Sequence, residues 1–308
     1  MDESLSISRP LKYLFTTAIF AGFGFILLKY HEDFYIIRNI SIFQFLSASL
    51  LTLLVVALNG SKLNRISGSF NIRLRTGEWF ALSSMTTVLN SVFFKAGSLA
   101  ISTYLKKVYK FPYSSFAGTF LGDQFIILFT AALFESIASL YLGLSNNTKI
   151  FPIFAGFTLI SAILFFLMRG QIRLPKSKST VFNLLTSGIE SFNILLRNKD
   201  LLYSLCTHNL FLITALGLRF LVACSILQLE IPLSNCFLFA AVMIFARVIP
   251  ISHSDIGVRE LAIGFLSGIL GSGLKAGVLA TVVDRIFELF WSTLCAGVFR
   301  NSLVTPKS

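Results

Sequence analysis

The stretch IPISHSDIGVRELAIGFLSGILG, Ile249–Gly271, interrupts an apolar region with a proline, a run of small polar residues and an adjacent Arg259–Glu260 pair. Two readings compete. One is a capped loop between helices, with Arg259 at the headgroup layer. The other is a membrane helix that is snapped and restarted. Pro250 has no N–H and disfavours helix before it. Ser252, Ser254 and Asp255 are cap-type residues, and Gly257 lets backbone approach closely. A helix restarting near Ile256 presents free amides and the positive end of its dipole. Such an end binds phosphate or carboxylate. Arg259, in the first turn, adds a fork suited to phosphate oxygens. Glu260 points elsewhere and is placed to pair with a basic residue of another helix.

Composition sets the frame for choosing between them. The chain has 308 residues, 55% hydrophobic and 13% charged, against about 25% charged in a soluble domain. Its mean hydropathy is +0.79. It reads as an all-α polytopic membrane protein forming a single integral membrane domain over residues 1–308. The net charge of +12 belongs to the flanks of apolar spans and to an anionic lipid surface, so no nucleic-acid partner is expected. Cys206, Cys224, Cys236 and Cys295 lie in or beside apolar segments without ligand spacing and read as small buried hydrophobes. No metal and no cofactor is expected. The N-terminal MDESLSISRPLKY reads as a cytoplasmic lead into a retained helix.

A spanning helix needs about 20 apolar residues. The sequence predicts eight spans: Tyr13–Leu28, Ile40–Leu58, Trp79–Phe94, Phe116–Leu142, Phe151–Met168, Leu201–Leu227, Leu233–Ile249 and Lys275–Phe299. Ala96–Leu105 and Ile256–Leu270 are shorter apolar segments, each directly after a span. Basic connectors at Ser61–Arg75, Leu105–Lys110 and Arg169–Asp200 are cytoplasmic by the positive-inside rule, as are both termini. The first half covers about 1–168, a cytoplasmic linker 169–200, and the second half 201–308. The halves then have opposite orientation and the same order of a span, a short interrupted segment and a long span. Gly97 stands 26 positions before Asp123, and Gly257 stands 27 before Asp284. This pattern matches inverted-topology repeats, whose substrate site lies between the halves.

Charge inside apolar spans is costly and normally faces a bundle interior or a wet cavity. Asp284 and Glu288 share one face of the last span, and Arg285 can reach Glu288. They form either a switching charge network or an internal salt bridge with Arg259 or Arg247. Arg219 lies deep in its span and needs a carboxylate or a bound anion. Arg247, near a span end, reads as snorkelling. Lys95, Asp123 and Glu135 are the other intramembrane charges. No residue is assigned a catalytic role.

IPISHSDIGVRELAIGFLSGILG followed by AGVLATVVDRIFELF resembles the flippase-like membrane domain of lysylphosphatidylglycerol synthases. The second half of that family reads proline, a small-residue run, Gly-x-Arg-Glu, then a long helix with an arginine near its middle. Pro250, Gly257, Arg259, Glu260 and Arg285 match. Its first half often carries Pro-x-basic-x-Gly-acid. Here FFKAGS keeps Lys95 and Gly97, with Phe93 for the proline and Ser98 for the acid. The resemblance implies a translocase for a lipid with a polar head. Aminoacyl transfer is not expected, since the last span ends close to Ser308.

The reading that follows is a non-enzymatic lipid translocase of a bacterial-type inner membrane, moving a phospholipid or a polyprenyl-phosphate-linked sugar by alternating access. Lys95, Gly97, Arg219, Ser254, Gly257, Arg259 and Glu260 would bind the lipid substrate. Asp123, Asp284, Arg285 and Glu288 would couple or switch. A separately encoded lipid-modifying enzyme is a compatible partner, and the oligomeric state stays open. The alternatives are a membrane glycosyl- or acyltransferase using a lipid-linked donor, and a scaffold for such an enzyme.

Overall fold

The computed structural model describes residues 38–93, 95–144, 151–170, 180–248 and 257–303. The expected first span Tyr13–Leu28 and the residues Pro250–Ile256, Ser254 among them, lie outside the described residues. Among those described, the regular structure is helical: α1 Ile42–Gly68, α2 Thr76–Val92, α3 Ala96–Tyr109, α4 Tyr113–Leu144, α5 Phe151–Arg169, α6 Thr180–Arg197, α7 Lys199–Ile226, α8 Leu233–Val248, α9 Val258–Ile269 and α10 Leu274–Phe299, then a 3-10 turn at Arg300–Leu303. Four helices are long and apolar enough to cross a membrane: α1, α4 over Tyr113–Tyr141, α5 and α7. The chain is an integral membrane protein. Two expected spans are shorter, with 17 residues in α2 and 16 in α8. At 1.5 Å per residue these fall short of a hydrocarbon core of about 30 Å.

The region expected as a plain connector, 169–200, contains α6, which packs along α4. Phe192 and Leu195 on its inner face are buried. The contact is intimate because two glycines meet: a Cβ on Gly118 would lie 1.8 Å from the Gly188 carbonyl oxygen. In the sequence, basic residues at both ends of this segment mask an apolar face at helical spacing.

Helix contacts recur in pairs. α1 and α7 run antiparallel at the centre, with Gln44 Nε2 donating to the Ser225 carbonyl at 3.0 Å and Arg65 Nη1 to Ser204 Oγ at 2.7 Å. α2 packs on α1 and α10; α8 packs on α7 and α4. Gly60 of α1 receives the Trp79 ring of α2, and Gly217 of α7 receives the Phe237 ring of α8. A Cβ would lie 2.2 Å from the first ring and 2.3 Å from the second. Trp291 Nε1 of α10 donates to Ser49 Oγ of α1 at 2.9 Å. Cys206 of α7 lies beside the Thr130 hydroxyl of α4, which donates to the Ile126 carbonyl at 2.8 Å. The spacing is conserved between these sets. Ser49, Gly60 and Lys62 are separated by eleven and two residues, as are Cys206, Gly217 and Arg219.

Both short helices start from a residue with positive φ, Lys95 at 60° and Gly257 at 86°. That conformation sets the direction in which each short helix departs. α3 returns along α2, where Asn90 Oδ1 accepts the Gly97 N–H at 2.9 Å and the Gly97 site is too close to Thr86 for a Cβ. Glu78 clamps the far end of this hairpin, accepting from Tyr104 at 3.1 Å, Tyr109 at 2.9 Å and the Arg75 N–H at 2.7 Å. α9, in contrast, is pressed along α10, Gly264 against Gly277.

Adding a methyl at Gly217 should overpack the α7–α8 contact. Gly217→Ala is expected to lower stability by about 1–3 kcal/mol, while Gly156→Ala, which meets open space, should change it by less than about 1 kcal/mol. Unfolding in detergent measures both. Tyr109 lies outside the four long apolar helices, and burial with Glu78 beside it pushes its phenol up to about 12. Its folded pKa exceeds its unfolded value of about 10, so its stabilising contact is complete below pH 10 and lost as pH rises through about 12. Phenolate absorbance should show a late-titrating component that Tyr109→Phe removes.

Candidate functional site

Two carboxylates on one face of α10 collect three guanidinium groups from three other helices. Asp284 is gripped in bidentate fashion by Arg219 of α7, Nε to Oδ1 at 2.5 Å and Nη2 to Oδ2 at 2.9 Å. Arg259 of α9 donates Nη2 to Asp284 Oδ2 at 2.5 Å and Nη1 to Glu288 Oε2 at 2.8 Å. Glu288 also pairs with Arg247 of α8 through Oε1. Arg219, Arg259 and Asp284 are sealed from outside, while the Arg247 side chain is 30% exposed. Three cations against two anions leave an excess positive charge, and Arg247 is the accessible member.

Glu260 and Arg285 form a separate balanced pair, Oε1 to Nε at 2.7 Å. Glu260 Oε2 also accepts the Gly257 N–H at 2.7 Å, capping α9 from within its own first turn. The Arg259 fork, offered by the sequence to an external anion, is therefore engaged by carboxylates of this chain, and the Gly257 amide at the start of α9 by Glu260. Arg219 is likewise engaged, by Asp284. Arg285, expected to reach Glu288, turns to Glu260 across the α9–α10 contact. Arg247, read from sequence either as snorkelling or as an internal salt-bridge partner of the last span, takes the salt bridge with Glu288. The physical reason is common to all four: a buried guanidinium is stable only when desolvation is offset by paired charge, and α10 carries the carboxylates at the right depth.

Arg247 lines a cavity of about 260 Å³ between α1, α2, α3, α4, α7, α8 and α10. Its walls include Lys62, Asn59, Asn90, Lys95, Asp123 and Gln124, together with Arg285, Glu288, Phe70, Phe111 and Phe116. Lys62 Nζ lies 3.1 Å from Asp123 Oδ2 and 3.4 Å from Asn209 Oδ1. This pair joins α1 to α4 as Arg219–Asp284 joins α7 to α10. The Lys95 ammonium sits 5.1 Å from the centre of the Phe120 ring, a cation–π contact. Glu135 is fully buried in α4, away from the cavity walls, and neither carboxyl oxygen has a hydrogen-bond partner among the described residues.

Of the residues singled out from sequence, Lys95, Asp123, Arg285 and Glu288 line this cavity. Gly97 sits behind it as a packing position, and Gly257, Arg259, Glu260, Arg219 and Asp284 form the sealed network beside it. Lys62 and Arg247 are the additions. In the sequence Lys62 reads as part of the Ser61–Arg75 connector, yet α1 continues to Gly68 and buries it. Its signal is its place two residues after Gly60, matching Arg219 two residues after Gly217. The chain matches no protein-family model and no curated protein.

Asp284→Ala strands two arginines in an apolar interior and should cost about 3–5 kcal/mol. Arg247→Gln removes a partly solvated cation whose partner keeps Arg259, and should cost below about 1 kcal/mol. Thermal unfolding in detergent compares them; equal losses would contradict the division into a sealed and an accessible part.

Proposed function

We propose that this protein is a translocase for a phosphate-bearing lipid, with the head group crossing through the cavity while the acyl or prenyl chains stay in the bilayer. The observation that carries the reading is a polar cavity, within a bundle of membrane-crossing helices, with an incompletely neutralised arginine in its wall. An excess guanidinium in low dielectric favours a bound anion, and arginine presents the geometry phosphate oxygens prefer.

The recurring contacts support two inverted repeats, α1–α4 and α7–α10. Exchange of the two sets maps Lys62–Asp123 onto Arg219–Asp284 and Gly60–Trp79 onto Gly217–Phe237. The two halves differ in state: α9 is closed onto α10, whereas α3 touches α4 only lightly and the cavity lies there. Such a difference between equivalent halves is what alternating access requires. The exposed Arg73, Arg75, Lys106, Lys107 and Lys110 mark, by the positive-inside rule, the cytoplasmic side. Both termini are then cytoplasmic, in a bacterial-type inner membrane. The resemblance to the flippase-like domain of lysylphosphatidylglycerol synthases agrees with this reading in its choice of substrate.

The test is transbilayer movement of fluorescent phosphatidylglycerol and of a tagged polyprenyl phosphate in liposomes holding the purified protein. Wild type should accelerate at least one, and Arg247→Gln should slow it at least tenfold, about 1.4 kcal/mol. No acceleration of either probe, or full activity without the Arg247 cation, would reject the proposal.

A further inference from the structure

The helices α4 and α10 carry four carboxylates inside apolar sequence, and three of them have cations. Asp123 has Lys62, Asp284 has Arg219 and Arg259, and Glu288 has Arg259 and Arg247. Glu135 of α4 has none among the described residues. It is 0% exposed, and both carboxyl oxygens are buried without a hydrogen-bond partner. Ser139, one turn further along α4, is sealed to the same degree, and its Oγ is unpartnered too. The usual structural use of a polar group at membrane depth is a pair or a hydrogen bond to another helix. Glu135 makes neither among the described residues.

The helices packed on α4 bring it no counter-charge. Arg169 of α5 lies over the Phe165 ring. Glu190 and Arg197 belong to α6, which meets the other end of α4, Gly188 on Gly118 and Leu195 on Gly122. On α7, Lys199, Asp200 and Tyr203 stand in the first turns, Cys206 is beside Thr130, His208 Nδ1 meets the Ser204 carbonyl, and Arg219 holds Asp284. On α8, Cys236 is beside Cys224 of α7, and Arg247 pairs with Glu288. On α3, Tyr104 and Tyr109 are held by Glu78. Among the described residues no charge acts on Glu135. An ionised carboxylate without hydrogen bond or counter-charge is not sustained in an apolar interior; it takes up a proton and is neutral. A metal ion in the proton's place would need a cage of ligands, and among the described residues no three His, Cys, Asp or Glu side chains gather into one.

At this level α8 packs on α4: Phe134, next to Glu135 in the chain, meets the Phe237 ring edge-on with ring centres 5.9 Å apart. Ten residues further along the same 16-residue helix, Arg247 lines the cavity. A shift of α8 as one rigid element therefore reaches both the cavity wall and the packing around Glu135. We infer that Glu135 is a proton-binding site, loaded at neutral pH while α4 and α8 are in contact and emptied when that contact opens to water. On opening, the carboxyl O–H bond breaks, the proton passes to a water molecule, and the electron pair stays on a carboxylate that water solvates. Closing over the bare anion would strand a charge, so the contact closes over the reloaded acid. This proton site works whatever ligand the cavity takes.

The experiment uses the full-length protein in liposomes and has three readouts. The infrared spectrum of the wild type at neutral pH should contain the carbonyl stretch of a protonated carboxylic acid, and Glu135→Gln should remove it. Opening is read by a water-soluble maleimide on Ser139→Cys, quantified by mass at that peptide. The same label on Ser139→Cys/Glu135→Gln at each pH cancels the thiol's own pH dependence. The ratio of the two labelling rates should rise with pH, approaching about tenfold per unit for one released proton, because withdrawing the proton favours the open contact. Glu135→Met, which replaces an unpartnered polar group by an apolar one of similar size, should unfold at a temperature no lower than that of the wild type. A wild type without the band, a band that persists in Glu135→Gln, or a labelling ratio that stays flat with pH would overturn the proton site. So would a lower unfolding temperature for Glu135→Met, since it would show that the carboxyl has a structural partner. Each of these readouts is independent of lipid movement, so failure of the translocase test leaves the proton site standing and the reverse holds equally.

Discussion

Asp284 and Glu288 are the constraint on which the rest of the structure depends. Two ionised carboxylates on an apolar helix are tolerable only with cations drawn to them. Satisfying them recruits Arg219 from α7, Arg259 from α9 and Arg247 from α8. One short stretch of α10 thereby organises every helix of the second half. The pairing also sets the depth at which α9 restarts after its break, since Arg259 must reach both carboxylates while Glu260 reaches back to the Gly257 amide and across to Arg285.

The first half has the lighter version of this arrangement. Lys62 and Asp123 are a single pair, and no arginine reaches them from α3; Lys95 at the start of α3 lies over Phe120 instead. With less charge to pull it inward, α3 stays off α4 and the polar cavity occupies the gap. In the proposed transport cycle this asymmetry is the difference between an open and a closed half. The chemistry of equivalent positions is related but not identical, which allows one half to hold the ligand while the other seals.

Much of this was legible in the sequence. Apolar length and sparse charge identify the membrane helices, because a bilayer demands both. The positive-φ break before Val258 is announced by Gly257, and the correspondence of Asp123 with Asp284 is visible as spacing. Other features were hidden. α6 is masked by its basic ends, although Phe192 and Leu195 lie at core spacing. Lys62 reads as connector because no cap signal marks where α1 ends, and only the helix continuing to Gly68 buries it. For Arg247 the sequence leaves two readings open, snorkelling and a salt bridge to the last helix, because its partner stands 41 residues away.

The sequence by itself determined that the chain is helical and membrane-embedded, and that it holds more buried cations than a bilayer tolerates unpaired. Those are properties of composition and local pattern. The tertiary structure alone decided which cation meets which carboxylate. It is that assignment, made by helix contacts distant in sequence, that closes Arg259 and Arg219 within the protein and leaves Arg247 facing a cavity.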